Sequence, residues 1–146
     1  MIPKRIVIDT NVCLDLFVFR DPRWAALLDA LKAGAVEAVT TERCRNEWLA
    51  VLHYPHLPLD AESRPRIAAE FDALIHCIAP DRPAEPAPLP TCKDRDDQKF
   101  LELARDAGAA MLITKDKALL KLAKRTARSG LFAVIPPERW SLDAAG

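Results

Sequence analysis

Arg5-Ile6-Val7-Ile8-Asp9-Thr10-Asn11 is the stretch on which the fold turns. Three apolar β-formers in a row leave a strand without a polar face, so both of its faces must be covered. Such a strand belongs in the middle of a parallel sheet. A parallel sheet presents its functional groups beyond the carboxyl ends of its strands. Asp9 stands at that end, directly after the apolar run.

Outward from this strand the chain alternates. Residues 12–19 are helical in pattern, and Asp21-Pro22, an N-cap followed by proline at the first helical position, opens a helix that ends at Gly34. Residues 36–40 read as a second strand. Thr41 is placed to cap a helix running to about His53, which Tyr54-Pro55 and Pro58 stop. Residues 66–77 carry a further helical pattern, with Ile67, Phe71, Leu74 and Ile78 on one face. Prolines at 80, 83, 86, 88 and 90 remove donors and forbid helix, which makes residues 80–90 an extended surface connector. Beyond it come a helix over 96–107 closed by Gly108, a strand over 110–114, a helix over 117–128 closed by Gly130, and a strand over 131–135. Short buried strands alternating with helices predict an α/β fold with a parallel sheet covered on both faces. Neither side of the proline stretch has a full set of strands, so residues 1–146 read as one domain.

Half of the residues are hydrophobic and 29% are charged, with Lys+Arg 21 against Asp+Glu 21, a net charge of zero. That balance excludes a polyelectrolyte tail and a mostly disordered chain. It also means that a phosphate-bearing partner must be drawn by a local basic patch. No apolar run approaches the ~20 residues that span a bilayer, and residues 6–8 are too short a stretch for a signal peptide. A soluble, cytoplasmic protein with no membrane partner is expected. Cys13, Cys44, Cys77 and Cys92 form no C-x-x-C pair, which argues against structural zinc and for reduced, mostly buried thiols.

Four acids stand out by position. Asp9 ends the first strand, and Asp116 follows residues 111–114 by two, so both arrive at the same sheet edge. Asp97 begins a helix in line with Phe100, Leu101 and Ala104, and Glu47 lies in line with Cys44 and Val51. Singly, each has an ordinary structural role: Asp9 in an Asx turn, Asp116 capping the next helix, Asp97 on a helix dipole, Glu47 paired with Arg43. Together they converge. Ionised carboxylates brought to one spot beside apolar surroundings acquire raised pKa values or a bound cation. An oxygen-only cluster selects a hard ion, Mg²⁺ or Mn²⁺.

These residues also resemble a family. Ile6-Val7-Ile8-Asp9-Thr10-Asn11 resembles the opening strand and D-T-N of PIN-domain ribonucleases; Glu47-Trp48-Leu49-Ala50-Val51-Leu52 resembles their E-x-x-x-V-L helix. Asp94-Arg95-Asp96-Asp97-Gln98-Lys99-Phe100-Leu101 with Ala104 resembles D-x-x-D-x-x-F-L-x-x-A, and Leu112-Ile113-Thr114-Lys115-Asp116 resembles the strand ending in T-x-D. The likeness runs from about Ile6 to Pro137, with the four motifs in family order. It implies a PIN-like three-layer fold, a mostly parallel sheet with helices on both faces. It further implies a Mg²⁺- or Mn²⁺-dependent endoribonuclease, the toxin of a toxin–antitoxin pair, with RNA as substrate. Asp9, Glu47, Asp97 and Asp116 are then the catalytic, metal-holding acids, and Thr10, Asn11, Asp94 and Thr114 the polar residues around them. Whether Asp94 or Asp96 joins the acids stays open.

Arg43, Lys93, Arg95, Lys115 and Lys117 are candidates for gripping RNA phosphates, with further cations at Arg45, Lys99, Lys121, Lys124, Arg125 and Arg128. The alternative for the lysines at helical spacing is a solvated face. Trp24, Trp48 and Trp140 either stack bases or pack internally, and His53, His56 and His76 have no metal-ligand spacing. Leu14, Phe17 and Val18 either form core or offer a face to a cognate antitoxin or a second copy of the chain. The alternative function is a non-catalytic nucleic-acid- or protein-binding module on the same fold. A phosphatase built on Asp9 is disfavoured, because Asn11 stands where its second acid is needed.

Overall fold

A computed structural model describes residues 3–141. Five strands, β1 (Lys4–Ile8), β2 (Val36–Thr40), β3 (Ile75–Cys77), β4 (Met111–Ile113) and β5 (Ala133–Ile135), form one sheet in the order β3-β2-β1-β4-β5. Every pairing is parallel. The apolar run of β1 is at the centre, and its alternation divides the core: Ile6 and Ile8 join one buried cluster, Val7 the other. The helices are α1 (Thr10–Phe17), α2 (Ala25–Ala33), α3 (Glu42–Val51), α4 (Ser63–Leu74), α5 (Gln98–Asp106), α6 (Lys117–Leu120) and α7 (Ala123–Arg128). Side chains from α1, α2 and α4 bury with Ile6 and Ile8, and those from α5 and α6 with Val7, giving the three-layer α/β arrangement.

The chain builds outward from β1 through β2 to β3, then crosses back to place β4 on the other side of β1. The order therefore reverses between β1 and β4, where open α/β sheets form a crevice beyond the strand ends. The layer on the α1 side of the sheet contains an aromatic group. Trp48 stacks on Phe71 with ring centroids 4.9 Å apart, and Phe17 meets both edge-on at 6.1 and 5.8 Å. Phe17 is thus core, with Leu14 and Val18 packed against it, so the core alternative holds for this face.

Local differences from the sequence expectations have physical causes. The helix expected to Cys77 ends at Leu74, and residues 75–77 form an edge strand instead. The polar groups left open on β2 take Ile75, His76 and Cys77 as partners, a tertiary pairing that outweighs the helical spacing. The helix expected over 117–128 breaks between α6 and α7, where Leu122 N–H bonds to the Leu119 carbonyl in a tightened turn and both leucines are buried. Asp21 caps a 3-10 turn over Pro22–Trp24 ahead of α2, and Gly34 closes that helix at φ 71°. Thr41 occupies the N-cap of α3 but makes no side-chain cap bond.

Residues 80–90 carry no regular structure and are tied down at their far end. Gln98 clamps it, accepting from Cys92 N–H at 2.7 Å and donating to the Pro90 carbonyl at 3.1 Å. No helix among the described residues is long and apolar enough to cross a membrane.

Phe17→Ala removes the ring that meets both other aromatics and leaves a cavity in the buried cluster of Ile6 and Ile8. It should cost about 3–5 kcal/mol of stability, read as a lowered urea midpoint at unchanged m-value.

Candidate functional site

Two strand ends and two helices deliver their acids to one crevice. Asp9 still belongs to the β1 ladder through its N–H bond to the Ile113 carbonyl at 2.9 Å, and it is 4% exposed. It stands at the N-cap of α1, yet its side chain makes no cap bond. Instead its Oδ2 accepts from the Thr114 hydroxyl at 2.6 Å. The same hydroxyl accepts from the Asp116 N–H at 3.0 Å, so one buried oxygen ties the end of β1 to the segment after β4. Asp116 also caps α6, one oxygen accepting from Ala118 N–H at 2.8 Å, so its ordinary structural role and its place in the crevice coexist.

Asp97 closes a 3-10 turn, Arg95–Asp97, that leads into α5. Asp94 caps that turn through Asp96 N–H at 3.0 Å. One carboxylate oxygen from each of Asp94, Asp97 and Asp116 lies within 4.8 Å of the others. Of the two acids crowding Asp97, Asp94 is the one brought in. Glu47 enters from α3, its Oε2 accepting from the Thr10 hydroxyl at 2.8 Å and its Oε1 facing the Lys99 ammonium at 3.2 Å. The Arg43 pairing expected of it is not made, since Arg43 reaches Glu102 at 3.7 Å. The Asn11 side-chain oxygen is buried with no hydrogen-bond partner among the described residues.

The acids titrate as crowded groups do. Burial pushes Asp9 up to about 6; the Thr114 and Thr10 hydrogen bonds oppose the shift, and the charges of Glu47 and Asp116 add to it. Burial also raises Asp97, to about 8, reinforced by its hydrogen bond with Asp116 and by the charges of Asp9, Asp116 and Asp94. Asp116 moves the other way, held ionised by that shared hydrogen bond. Near neutrality the Asp97–Asp116 pair therefore retains one proton. The donor set is oxygen only and short of positive charge, which fits a hard divalent cation.

Among the candidate phosphate-gripping residues, Lys115 is ion-paired with Asp15 at 2.7 Å, while Lys93, Arg95 and Lys117 are exposed. Trp48 is a core residue, and Trp24 is buried with its indole N–H on Asp15 at 3.2 Å. Asp15 is not singled out by the sequence, and Lys99 reads there only as a cation flanking the acids, placed to hold phosphate. Asp15 holds Lys115, and Lys99, 9% exposed, holds Glu47. The signal was present in both: a charge set among apolar neighbours, Leu14, Leu16 and Phe17 for one, Phe100 and Leu101 for the other.

A family model described as PIN domain matches residues 5–118. That span contains Asp9, Glu47, Asp94, Asp97 and Asp116. No curated protein matches the chain.

Because the folded protein holds protons on Asp9 and Asp97 that an ordinary carboxyl at 3.8 gives up, these groups contribute stability that is complete below pH 3.8. That contribution is lost as pH rises to about 6 for Asp9 and about 8 for Asp97. Asp97→Asn keeps the donor and removes the titration. It should raise the metal-free Tm at pH 8.5 by roughly 3 °C and leave it almost unchanged at pH 4. Parallel Tm-against-pH curves for the two proteins in chelator would show that no proton is shared.

Proposed function

The chain belongs to the PIN-domain family, and on that footing we propose that it is a divalent-cation-dependent endoribonuclease, with Mg²⁺ or Mn²⁺ as the cation. Its substrate in this reading is RNA, and its role is the toxin half of a toxin–antitoxin pair. The observation that carries the reading is the convergence of Asp9, Asp97 and Asp116 in one crevice, with Asp94 beside them. Burial and mutual repulsion drive two of these acids well above the usual carboxylate range. Gathering acids in this way works against stability, and a bound cation would offset their repulsion.

Asp94, Asp97 and Asp116 would hold the ion, with Asp9 beside them, and Glu47 completes the acidic set from α3. When bound, such an ion polarises a phosphodiester and the water that attacks it, and offsets charge on the departing oxygen. The remaining work falls to the chain. Thr114 fixes Asp9 relative to Asp116 through one hydroxyl, so the two acids keep their spacing. Thr10 orients Glu47. No nucleophilic side chain is needed for hydrolysis.

Substrate grip follows from charge. Lys117, Lys121, Lys124, Arg125 and Arg128 are exposed along α6 and α7 and make no ion pair among the described residues. Beginning one residue after Asp116, they form a local basic track on a chain with zero net charge. Lys93 and Arg95 flank Asp94 along the chain and are exposed. The toxin role rests on the order of the four motifs. A cognate antitoxin or a second copy of the chain is the partner that role calls for, and arrested growth on induced expression is its readout.

Asp9→Asn and Asp116→Asn should each lower Mn²⁺-dependent cleavage of single-stranded RNA by about 100-fold or more, with the circular-dichroism spectrum unchanged. Mn²⁺ should raise the Tm of the wild type. A wild type whose Tm ignores Mn²⁺ and which leaves RNA intact would instead be a binding module on this fold.

A further inference from the structure

Lys99 brings a positive charge into the pocket from beneath. It lies two residues after Asp97, is 9% exposed, and its ammonium has three fixed neighbours: Glu47 Oε1 at 3.2 Å, the Asp96 carbonyl, and the Phe100 ring with its centroid at 5.1 Å. A buried ammonium so enclosed cannot swing out to water without abandoning all three. Glu47 is equally committed. One of its oxygens faces Lys99 and the other accepts from Thr10 at 2.8 Å, so its charge is matched and both oxygens are engaged.

The aspartates are in the opposite condition. Asp94, Asp97 and Asp116 have oxygens within 4.8 Å of each other and make no ion pair among the described residues. Their partners are backbone N–H groups and one another. The crevice thus has two halves among the described residues: one neutralised by an ion pair from within, one whose acids have no ion-pair partner.

We propose that Lys99 takes the place of a second divalent ion, so that the pocket holds a single one, on the Asp94–Asp97–Asp116 side. Glu47 is then a positioning residue acting through Lys99 and Thr10 and does not ligate the ion. The inference rests on the reading of the crevice as a cation site and specifies its occupancy. A dication touching Glu47 would bind a carboxylate whose Oε1 is already 3.2 Å from an ammonium, and like charges brought to one carboxylate in a desolvated pocket repel strongly.

Calorimetric titration with Mn²⁺ alone tests this. The wild type should bind one ion per chain. Lys99→Met uncovers the Glu47 charge and should bind two, while Lys99→Arg should keep one. Lys99→Met leaves a carboxylate without its partner, so its folding is checked by circular dichroism. The double variant Lys99→Met/Glu47→Gln removes both charges of the pair and avoids that difficulty. It should keep one ion with an affinity within about 3-fold of wild type. Two ions in the wild type, one in folded Lys99→Met, or a tenfold or greater loss of affinity in the folded double variant would each overturn the role of Lys99 and leave the cation site standing. A wild type that binds no Mn²⁺ would overturn both.

Discussion

A carboxylate loses stabilising solvation when it leaves water, and Asp9 has left it almost completely. What stands in for water is the hydroxyl of Thr114, from a residue 105 positions away, at 2.6 Å. That bond exists because β1 and β4 are neighbours, and they are neighbours because the chain reverses its order of strand addition after β3. The hydroxyl is also the acceptor for Asp116 N–H, so the sheet pairing dictates the spacing of two acids as well as their presence at one edge. Everything else in the crevice is arranged against this fixed pair: Asp97 from the turn before α5, Glu47 from the middle of α3.

Gathering these acids works against folding, and the layers around them must offset it. The raised protonation of Asp9 and Asp97 measures the conflict, since a folded state that prefers its carboxyls neutral is one that pays for their ionisation. The aromatic group of Phe17, Trp48 and Phe71 lies in the layer that buries Ile6 and Ile8. Trp48 follows Glu47 directly, so burial of its ring holds the carboxylate beside the crevice. The acids are held together by apolar contacts made on other atoms, which persist whether or not the charges are compensated.

Much of this was legible in the chain itself, because it is written in short-range patterns. The uninterrupted run from Ile6 to Ile8 demands two covered faces, and both core clusters draw on it. The convergence of Asp9 and Asp116 followed from strand ends, and that of Asp97 and Glu47 from helical spacing. The third strand was not legible, since Ile75 to Cys77 has the spacing of the helix before it and becomes a strand only through β2. Nor were the partners of the charged side chains. The choice between Asp94 and Asp96, the pairing of Glu47 with Lys99 in place of Arg43, and the capture of Lys115 by Asp15 all depend on which elements meet in space. Periodicity places a residue on a face without naming what it faces.

The segment Thr114-Lys115-Asp116 shows how such long-range choices produce a rigid site from a stretch without helix or strand. Its three side chains bond to three different elements: Thr114 to the end of β1, Lys115 to Asp15 on α1, and Asp116 to the first turn of α6. A loop anchored in three directions has little freedom left, so the Asp116 carboxylate is held in place before any ligand arrives. The arrangement also separates two uses of positive charge. Lys115 and Lys99 are both ion-paired within the chain, Lys115 at the surface with Asp15 and Lys99, buried, with Glu47. The unpaired cations of α6 and α7 lie outside the crevice, where a polyanion can be attracted without competing for the acids within it.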